Sequence, residues 1–231
     1  MGRKGSGKTT LAIEIMREYP RVFALDMMGD YGAAGFEVHW GLSDSIRAME
    51  QACSGEGRRR FRLALQVVEK EDMLSVLDMA WECPDTLMVI EETSFVCSPQ
   101  SLPRELSRLV RFGRHRQISQ LYITRRAAEL PRDLTAQSDL LVTFQQKEPR
   151  DLQYLQSYGF DTRVVAGLPP YQITTFGELD KAPLAVLSRL HQQELFTKKP
   201  LTASAGDDMR EDEATEPEAL DDPHEAETAS E

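Results

Sequence analysis

The chain has few cysteines and lacks the patterns of secreted or membrane proteins. Only three cysteines are present, Cys53, Cys83 and Cys97, and none of them lies in a C-x-x-C pair. We therefore expect three reduced thiols without a metal-binding role. No apolar run approaches the roughly 20 residues that a membrane-spanning helix needs, and the first residues lack the basic-then-apolar pattern of a secretion signal. These absences predict a cytoplasmic protein without a membrane span.

The net charge of −11 comes from one end of the 231-residue chain. Residues 201–231 carry 12 acidic side chains and one Arg, so the rest of the chain is neutral. This segment has almost no large apolar side chains to bury, and burial is what offsets the entropy lost on ordering. We predict that residues 200–231 form a disordered acidic tail beyond one folded unit.

Apolar runs alternate with helical patterns along the remaining chain. This alternation predicts an α/β fold with a mostly parallel sheet and flanking helices. A last amphipathic stretch, 183–196, spaces Leu184, Leu187 and Leu195 at near-helical intervals and is expected to pack on its own domain. The predicted strands are 21–26, 36–40, 61–66, 86–91, 118–124, 139–144 and 171–176, and the predicted helices are approximately 8–19, 43–54, 68–82, 103–115 and 148–158.

The first ten residues, MGRKGSGKTT, contain a phosphate-binding pattern. Gly2, Gly7, Lys8 and Thr9 match G-x-x-x-x-G-K-[ST], the P-loop or Walker A motif. Glycines let the backbone turn its N–H groups around phosphates, Lys8 reaches the β- and γ-oxygens, and the Thr9 hydroxyl ligates Mg²⁺. The pattern predicts binding of ATP and Mg²⁺. The predicted nucleotide-binding residues are Gly2, Lys4, Gly5, Ser6, Gly7, Lys8, Thr9 and Thr10.

Such a loop normally follows a buried central strand, but here it begins at the second residue. Two explanations are open. Either apolar residues are encoded upstream of Met1, or this domain tolerates a sheet that lacks its first strand. We expect the first explanation, because an absent central strand leaves neighbouring backbone groups unpaired.

A second pattern, TLMVIEE at 86–92, is an apolar strand that ends in two acids. In P-loop proteins the acid after such a strand holds Mg²⁺, and Glu91 stands where Asp is usual. Glu92 is then placed to orient or deprotonate the attacking water. The alternative is that Glu91 and Glu92 only mark a solvated strand end.

Three stretches make the sequence resemble the FtsK/HerA group of DNA-pumping ATPases. RVFALDMMGDYG matches the group's second strand and its acid-and-glycine turn, through Asp26, Gly29, Asp30 and Tyr31. The stretch from Gly113 to Phe144 resembles the sensor strand, its Leu-Pro turn and the next strand, and KEPRDLQYL with LPPYQITTFGE resembles the closing elements.

The resemblance spans nearly all of residues 2–178. The family that it points to includes phage-type and single-domain genome-packaging ATPases. The resemblance implies a RecA-like, ASCE-type P-loop NTPase core over 1–180. The amphipathic stretch is then expected as a C-terminal helix over 181–199, followed by the tail that the composition predicts over 200–231. The resemblance also implies a homo-oligomeric ring, for which a hexamer is one option, working on DNA in the cytoplasm of a cell or a viral host.

The same resemblance assigns roles to two arginines. Arg114 matches the arginine that reaches the neighbouring subunit's nucleotide, with Arg116 as the fallback, although both are also explained as surface arginines at a helix end. Where the family shows Thr-Gln-Arg-Pro, this chain reads TRRA from Thr124. Because an arginine cannot accept a hydrogen bond from the attacking water, Arg125 is expected to contact phosphate as a cation.

Two basic clusters predict nonspecific contacts with the DNA backbone. Residues 104–132 contain eight Arg against Glu105 and Glu129, and GRRRFR at 57–62 adds a second cluster. A solvated charged face is the alternative for each. The acidic tail either competes with DNA for these clusters or serves solubility.

Two other functions remain open at this point. The loop also resembles that of nucleotide kinases, which would make the chain a small-molecule phosphotransferase. The lost Gln and the Glu at position 91 also suit an ATP-dependent assembly module that does not hydrolyse. A G-protein is not expected, since no Asn-Lys-x-Asp stretch follows Glu92.

Overall fold

The central element is a sheet of five parallel strands in the order β2-β3-β1-β4-β5. The structure, a computed structural model, describes residues 1–54 and 60–198, so the predicted tail and residues 57–59 of the second basic cluster lie outside the described residues. A separate antiparallel pair, β6-β7, completes the strands. The strands are β1 Arg21–Leu25, β2 Glu37–Trp40, β3 Phe61–Gln66, β4 Thr86–Ile90, β5 Ile118–Tyr122, β6 Leu140–Thr143 and β7 Thr174–Gly177.

All seven predicted strands are confirmed, although β7 begins three residues later than predicted. Three short helices, over 93–96, 132–136 and 162–167, were not predicted, because four to six residues carry too little periodicity. The start of the last is marked by Asp161, whose carboxylate accepts a hydrogen bond from the backbone N–H of Arg163. The helices are α1 Lys8–Glu18, α2 Gly41–Ser54, α3 Lys70–Trp81, α4 Thr93–Val96, α5 Arg104–Phe112, α6 Arg132–Ala136, α7 Pro149–Gln156, α8 Thr162–Gly167 and α9 Leu184–Lys198.

Helices cover both faces of the sheet, which explains why its central strands β1 and β4 are apolar runs rather than alternating patterns. In β4, Met88 and Ile90 face the cluster formed with α2, α3 and α5, while Leu87 and Val89 face the cluster formed with α1. Successive side chains of a strand point to opposite faces, so both sets are buried. The predicted α/β fold is therefore confirmed.

Two residues at the start of the chain join the two sheets. The amine of Met1 donates to Val142 O (2.8 Å), Phe144 N donates to Met1 O (2.9 Å), and Gly2 N donates to Thr124 O (3.2 Å). Met1 and Gly2 thus lie between β6 and the residues that follow β5, and among the described residues no strand precedes the loop. Burial lowers the pKa of the Met1 amine to about 5, and Lys8 adds to this effect. These hydrogen bonds fix the position of Met1 and Gly2, where the chain enters the loop.

The last helix, α9, docks on α1 through a face that the sequence did not indicate. Val186 is fully buried, whereas Leu184 is 69% and Leu187 36% exposed, so the expected leucine face is wrong. The carboxylate of Glu18 accepts hydrogen bonds from Leu184 N (2.9 Å) and Ala185 N (2.7 Å). This cap fixes the rotation of α9, because it sets which side of the first turn meets α1. The third predicted leucine, Leu195, lies beyond the described side chains.

The expectation of three free thiols is also wrong. Cys53 and Cys83 form a disulfide with Cα atoms 5.7 Å apart, and Cys97 is free and buried. The pair forms because α2 and α3 pack side by side, which brings the end of one near the turn after the other. Burial raises the pKa of the Cys97 thiol to about 11.

None of the helices within 1–54 and 60–198 combines the length and the apolar character needed to cross a bilayer.

Candidate nucleotide-binding site

The opening loop has the backbone that its glycines predict. Gly5 and Gly7 have φ angles of +75° and +98°, in the left-handed region that favours glycine. A β-carbon on Gly2 would lie 2.6 Å from Ser6 Oγ and 2.9 Å from Phe144 Cβ, so the close approach there also requires glycine. Gly7 precedes α1 without a side-chain cap, and no acid lies in the first turn of the helix. The loop and helix therefore present unpaired N–H groups and a positive dipole to an anion.

The polar side chains of the loop gather on the same side. Lys8 Nζ donates to Arg3 O at 2.9 Å, within the curl of the loop. Burial lowers the pKa of Lys8 and Arg125 adds to that effect, while the carboxylates of Glu92 and Glu91 oppose it. Ser6 Oγ is buried without a hydrogen-bond partner, whereas Lys4 is exposed. An anion in the loop would give Ser6 a hydrogen-bond partner and Lys8 a negatively charged one.

The parallel register brings the second predicted motif to the loop. Leu25 is paired with Ile90, and Ile90 with Tyr122, so the residues after β1, β4 and β5 meet at one edge of the sheet. At that edge Thr9 Oγ1 donates to Glu91 Oε1 at 3.3 Å, although the two residues are 82 positions apart. In parallel α/β sheets this carboxyl edge is where ligands bind.

Glu91 has the properties of a cation ligand. It is 5% exposed, and its second oxygen, Oε2, is buried without a hydrogen-bond partner. Burial raises the pKa of Glu91 to about 7, and the carboxylates of Asp26 and Asp30 add to the rise while the Thr9 hydroxyl opposes it. A buried, unpartnered carboxylate oxygen beside a hydroxyl fits Mg²⁺, which prefers oxygen ligands.

The other acids at this edge do not complete a metal site. Asp26 is fully buried, and its carboxylate accepts hydrogen bonds from the backbone N–H groups of Gly29 (2.8 Å), Asp30 (3.0 Å) and Tyr31 (3.0 Å). It therefore holds the turn that the family resemblance singled out. Within the described ranges no group of three or more His, Cys, Asp or Glu could hold a metal. A cation at Thr9 and Glu91 would take its remaining ligands from phosphate and water.

Glu92 and Arg125 contact each other directly. Arg125 Nε donates to Glu92 Oε1 at 2.7 Å, and Glu92 has a φ of +49°, a conformation that non-glycine residues rarely adopt. The backbone oxygen of Arg125 accepts from Gln146 Nε2 at 3.1 Å, which fixes this segment. The neighbouring Arg126 instead pairs with buried Asp151 and with Glu148. No local pattern indicated the pair between Glu92 and Arg125, because its members are 33 positions apart.

Arg114 lies at the amino ends of the sheet strands, whereas the loop lies at their carboxyl ends. It is exposed in the 3₁₀ turn over 113–116, which precedes β5, and Asp85 N donates to Arg116 O at the amino end of β4. Five strand residues at about 3.3 Å each separate this edge from the carboxyl edge. Arg114 therefore cannot reach the loop of its own chain. The fallback, Arg116, lies over the Trp81 ring at 5.2 Å.

Most arginines of the predicted basic clusters are already paired. Arg108 pairs with Asp78 at 2.7 Å, Arg111 with Asp133 at 3.0 Å, and Arg132 lies 4.5 Å over the Tyr154 ring. Arg62 of the second cluster donates to Arg17 O and Tyr19 O at the end of α1. Counting charges along the sequence thus overstated the free positive charge. In the part of the chain that the structure describes, Arg104 and Arg114 are exposed arginines of the first cluster without an ion pair.

One feature beside the loop was not predicted. A cavity of about 500 Å³ adjoins Gly7 and Thr10 and is lined by Tyr171, Arg189 and Gln192. Tyr171 lies in LPPYQITTFGE, a stretch covered by the family resemblance, whereas Arg189 and Gln192 belong to no motif. The only available signal was Tyr171 itself, an aromatic residue directly after two prolines.

Comparisons with known proteins agree with this geometry. No protein-family model matches the chain, and no curated protein is detectably similar to it. The genome-packaging NTPase B204 of Sulfolobus turreted icosahedral virus 2, solved with ATP-gammaS, matches with a TM-score of 0.58 and 18% identity over 78% of this chain and 91% of B204. B204 of Sulfolobus turreted icosahedral virus, described as a DNA-packaging ATPase, matches with a TM-score of 0.58 and 18% identity over 81% of this chain and 91% of B204. The chain therefore has the α/β P-loop NTPase fold of the viral genome-packaging NTPase B204, and the resemblance read from the sequence is confirmed at the level of fold.

Proposed function

We propose that this protein is a Mg²⁺-dependent ATPase that forms an oligomeric motor and uses hydrolysis to translocate or package DNA. The observation that carries the proposal is the contact between Thr9 Oγ1 and Glu91 Oε1, which unites the phosphate loop with the carboxyl edge of the sheet. The fold shared with B204, a packaging NTPase solved with ATP analogues, supports the same conclusion.

Each residue at the carboxyl edge has a role in this proposal. The loop N–H groups bind the phosphates, and Lys8 neutralises the β- and γ-oxygens. Thr9 and Glu91 hold Mg²⁺, which when bound neutralises charge on the phosphates. Glu92 accepts a proton from water while the water oxygen bonds to the γ-phosphorus and the bridging oxygen leaves with ADP. Arg125, next to Glu92, contacts the γ-phosphate as a cation.

The proposed arginine finger requires a second copy of the chain. Arg114 lies on the far edge of its own sheet, so it can act only on the nucleotide of a neighbouring subunit in a ring. A permanently charged guanidinium there would stabilise charge that develops on the γ-phosphate. DNA contacts would be made by exposed arginines such as Arg104, and by phosphate contacts rather than base recognition.

A second candidate function is an ATP-binding assembly module that does not hydrolyse. The ion pair between Arg125 and Glu92 favours it, because a carboxylate held by a cation is a weaker proton acceptor. This module would bind ATP and oligomerise without releasing phosphate.

Phosphate release by the purified full chain tests both candidates. The assay compares Mg²⁺ with EDTA, and protein alone with protein plus double-stranded DNA. We expect Mg²⁺-dependent release that DNA stimulates and that Lys8→Ala abolishes, while Lys147→Ala, at an exposed lysine outside the site, retains it. Turnover by Lys8→Ala would refute the site. ATP binding without any phosphate release would identify the assembly module, and release that DNA does not stimulate would refute the motor.

A further inference from the structure

The cavity beside the phosphate loop has walls from three parts of the chain. Gly7 and Thr10 come from the loop and the start of α1, Tyr171 from the segment before β7, and Arg189 and Gln192 from α9. Neither Glu91 nor Glu92 lines it. We propose that this cavity binds the base and ribose of the nucleoside triphosphate, with the base stacked on the ring of Tyr171. The inference rests on the proposed function and names the nucleoside end of that site.

The direction of the bound triphosphate leads to this cavity. Its γ-phosphate must face Glu91 and Glu92, because hydrolysis takes place there. The phosphate chain then follows the loop to the first N–H groups of α1, and the nucleoside leaves the loop on the side opposite to the two acids. Thr10 is exposed on the first turn of α1 and lines the cavity on that side.

Tyr171 has an open ring face suited to stacking. It is 64% exposed although it is aromatic, and its φ of +64° turns it away from the extended course of the chain. Its Cδ1 atom lies 3.3 Å from the position that a β-carbon on Gly7 would take, so the ring stands directly beside the loop. Bases of any sequence stack on such rings, since every base has a π-face.

The segment that carries Tyr171 is fixed rather than adaptable. Ile173 N donates to Gln193 Oε1 (2.8 Å), and Gln193 Nε2 donates to Ile173 O (2.8 Å). This reciprocal pair ties the segment to α9, and the Glu18 cap ties α9 to α1. A ring that is held before the ligand arrives costs less ordering entropy on binding.

Two polar side chains complete the cavity. Arg189 Nη2 donates to Glu14 Oε2 at 2.8 Å, while its Nη1 lies 3.6 Å from the β-carbon position of Gly7. The guanidinium therefore places a cation where the phosphate chain joins the ribose. Gln192 is exposed at the rim, and its amide can both donate to and accept from a ribose hydroxyl or a base edge.

Binding of two ligands to the full chain tests whether the cavity between α9 and the loop binds the nucleoside or binds nothing. Isothermal titration with ATP and with inorganic tripolyphosphate, both in Mg²⁺, compares the wild type with Tyr171→Ala, Tyr171→Phe and Trp40→Ala. Trp40 is an exposed aromatic residue at the end of the edge strand β2, and it does not line the cavity, so it is the matched control. We expect Tyr171→Ala to weaken ATP binding roughly ten-fold and to leave tripolyphosphate binding unchanged, with the other two variants like the wild type.

Two results would overturn this proposal alone, and a third would refute the proposed function together with it. Unchanged ATP affinity in Tyr171→Ala would show that no base stacks on the ring. An equal loss for ATP and tripolyphosphate would show that the substitution distorts the loop instead. A wild type that binds neither ligand, or that binds ATP equally well after Lys8→Ala, would refute the nucleotide site as a whole and this cavity with it.

Discussion

Arg125 Nε lies 2.7 Å from Glu92 Oε1, so the proposed proton acceptor forms an ion pair with the residue that replaces the family's glutamine. Lys8 is close enough to both for each to influence its pKa. Lys8, Glu92 and Arg125 therefore interact with one another. A bound γ-phosphate would compete with the Glu92 carboxylate for Arg125. Entry of the nucleotide would then release the carboxylate for its role with water, which links substrate binding to the start of hydrolysis.

Replacing Arg125 by Gln tests this competition. Arg125→Gln removes the cation and restores the residue that the family resemblance leads one to expect. We expect KM for ATP to rise about five- to ten-fold, because a charge-assisted contact to phosphate is lost, and kcat to stay near the wild-type value, because bound nucleotide has already released Glu92 from Arg125. Steady-state phosphate release measures both constants, with Arg150→Gln, at an exposed arginine on α7, as the control. A fall in kcat would mean that Arg125 holds Glu92 in its working position.

Replacing Glu92 by Gln separates binding from chemistry. The amide keeps the size of the side chain but cannot accept the proton, so we expect hydrolysis to fall by about 10² to 10⁴ while ATP affinity changes by less than about three-fold. Single-turnover phosphate release and titration calorimetry give the two quantities. Glu50→Gln, at an exposed position of α2, is the matched control. If Glu92→Gln hydrolysed ATP at the normal rate, another group would have to act on the water.

Mixing two inactive variants tests whether Arg114 acts between subunits. Arg114→Ala retains the loop of its own chain, and Lys8→Ala retains the arginine, so each variant alone should lack activity. A working interface needs an intact Lys8 on one subunit and an intact Arg114 on its neighbour. When equal amounts of the two variants assemble at random into rings, roughly a quarter of the interfaces meet both conditions. We expect about that fraction of wild-type phosphate release. A mixture that stays inactive, or an Arg114→Ala variant that is active on its own, would refute the role of Arg114 between subunits.

The raised pKa of Glu91 predicts a pH-dependent stability in Mg²⁺-free, nucleotide-free protein. The folded pKa is about 7 and the ordinary value is 4.5, so the folded state binds this proton more tightly than the unfolded state. The charged carboxylate therefore destabilises the fold progressively from pH 4.5 to pH 7, by up to about 3 kcal/mol above pH 7. Glu91→Gln lacks this cost.

Urea unfolding in EDTA measures this difference. The free energy of unfolding of Glu91→Gln minus that of the wild type should grow between pH 4.5 and 7 and then level off. A difference that stays constant with pH would show that burial does not raise this pKa. Glu50→Gln, at an exposed position of α2, is measured alongside as the matched control.

Much of the fold could be predicted because its signals are local. The buried β4 strand is apparent as five consecutive apolar or small residues, since both faces of a parallel sheet are covered. The left-handed φ angles at Gly5 and Gly7 follow from the motif in which these glycines occur. The contact between Thr9 and Glu91 was also expected, because parallel strands place their carboxyl ends at one edge.

Other features depend on which distant segments meet. Ion pairs remove most of the positive charge that a count along the sequence suggested, since they involve Arg108, Arg111, Arg116, Arg125 and Arg126. The buried face of α9 is set by the Glu18 cap on another helix, so its leucine spacing was misleading. The disulfide between Cys53 and Cys83 required the side-by-side packing of two helices that no cysteine spacing indicates.

The sequence by itself determined the strands, the helices, the curl of the phosphate loop and the acids that face it, because periodicity, glycine conformation and strand direction act within short segments. Only the tertiary structure decided which charges are free and how Arg125 pairs with Glu92. It also decided that Tyr171 and Arg189, from late in the chain, line a cavity beside Gly7 and Thr10. Electrostatic pairing and cavity shape depend on distances between segments far apart in the chain, and packing alone fixes those distances.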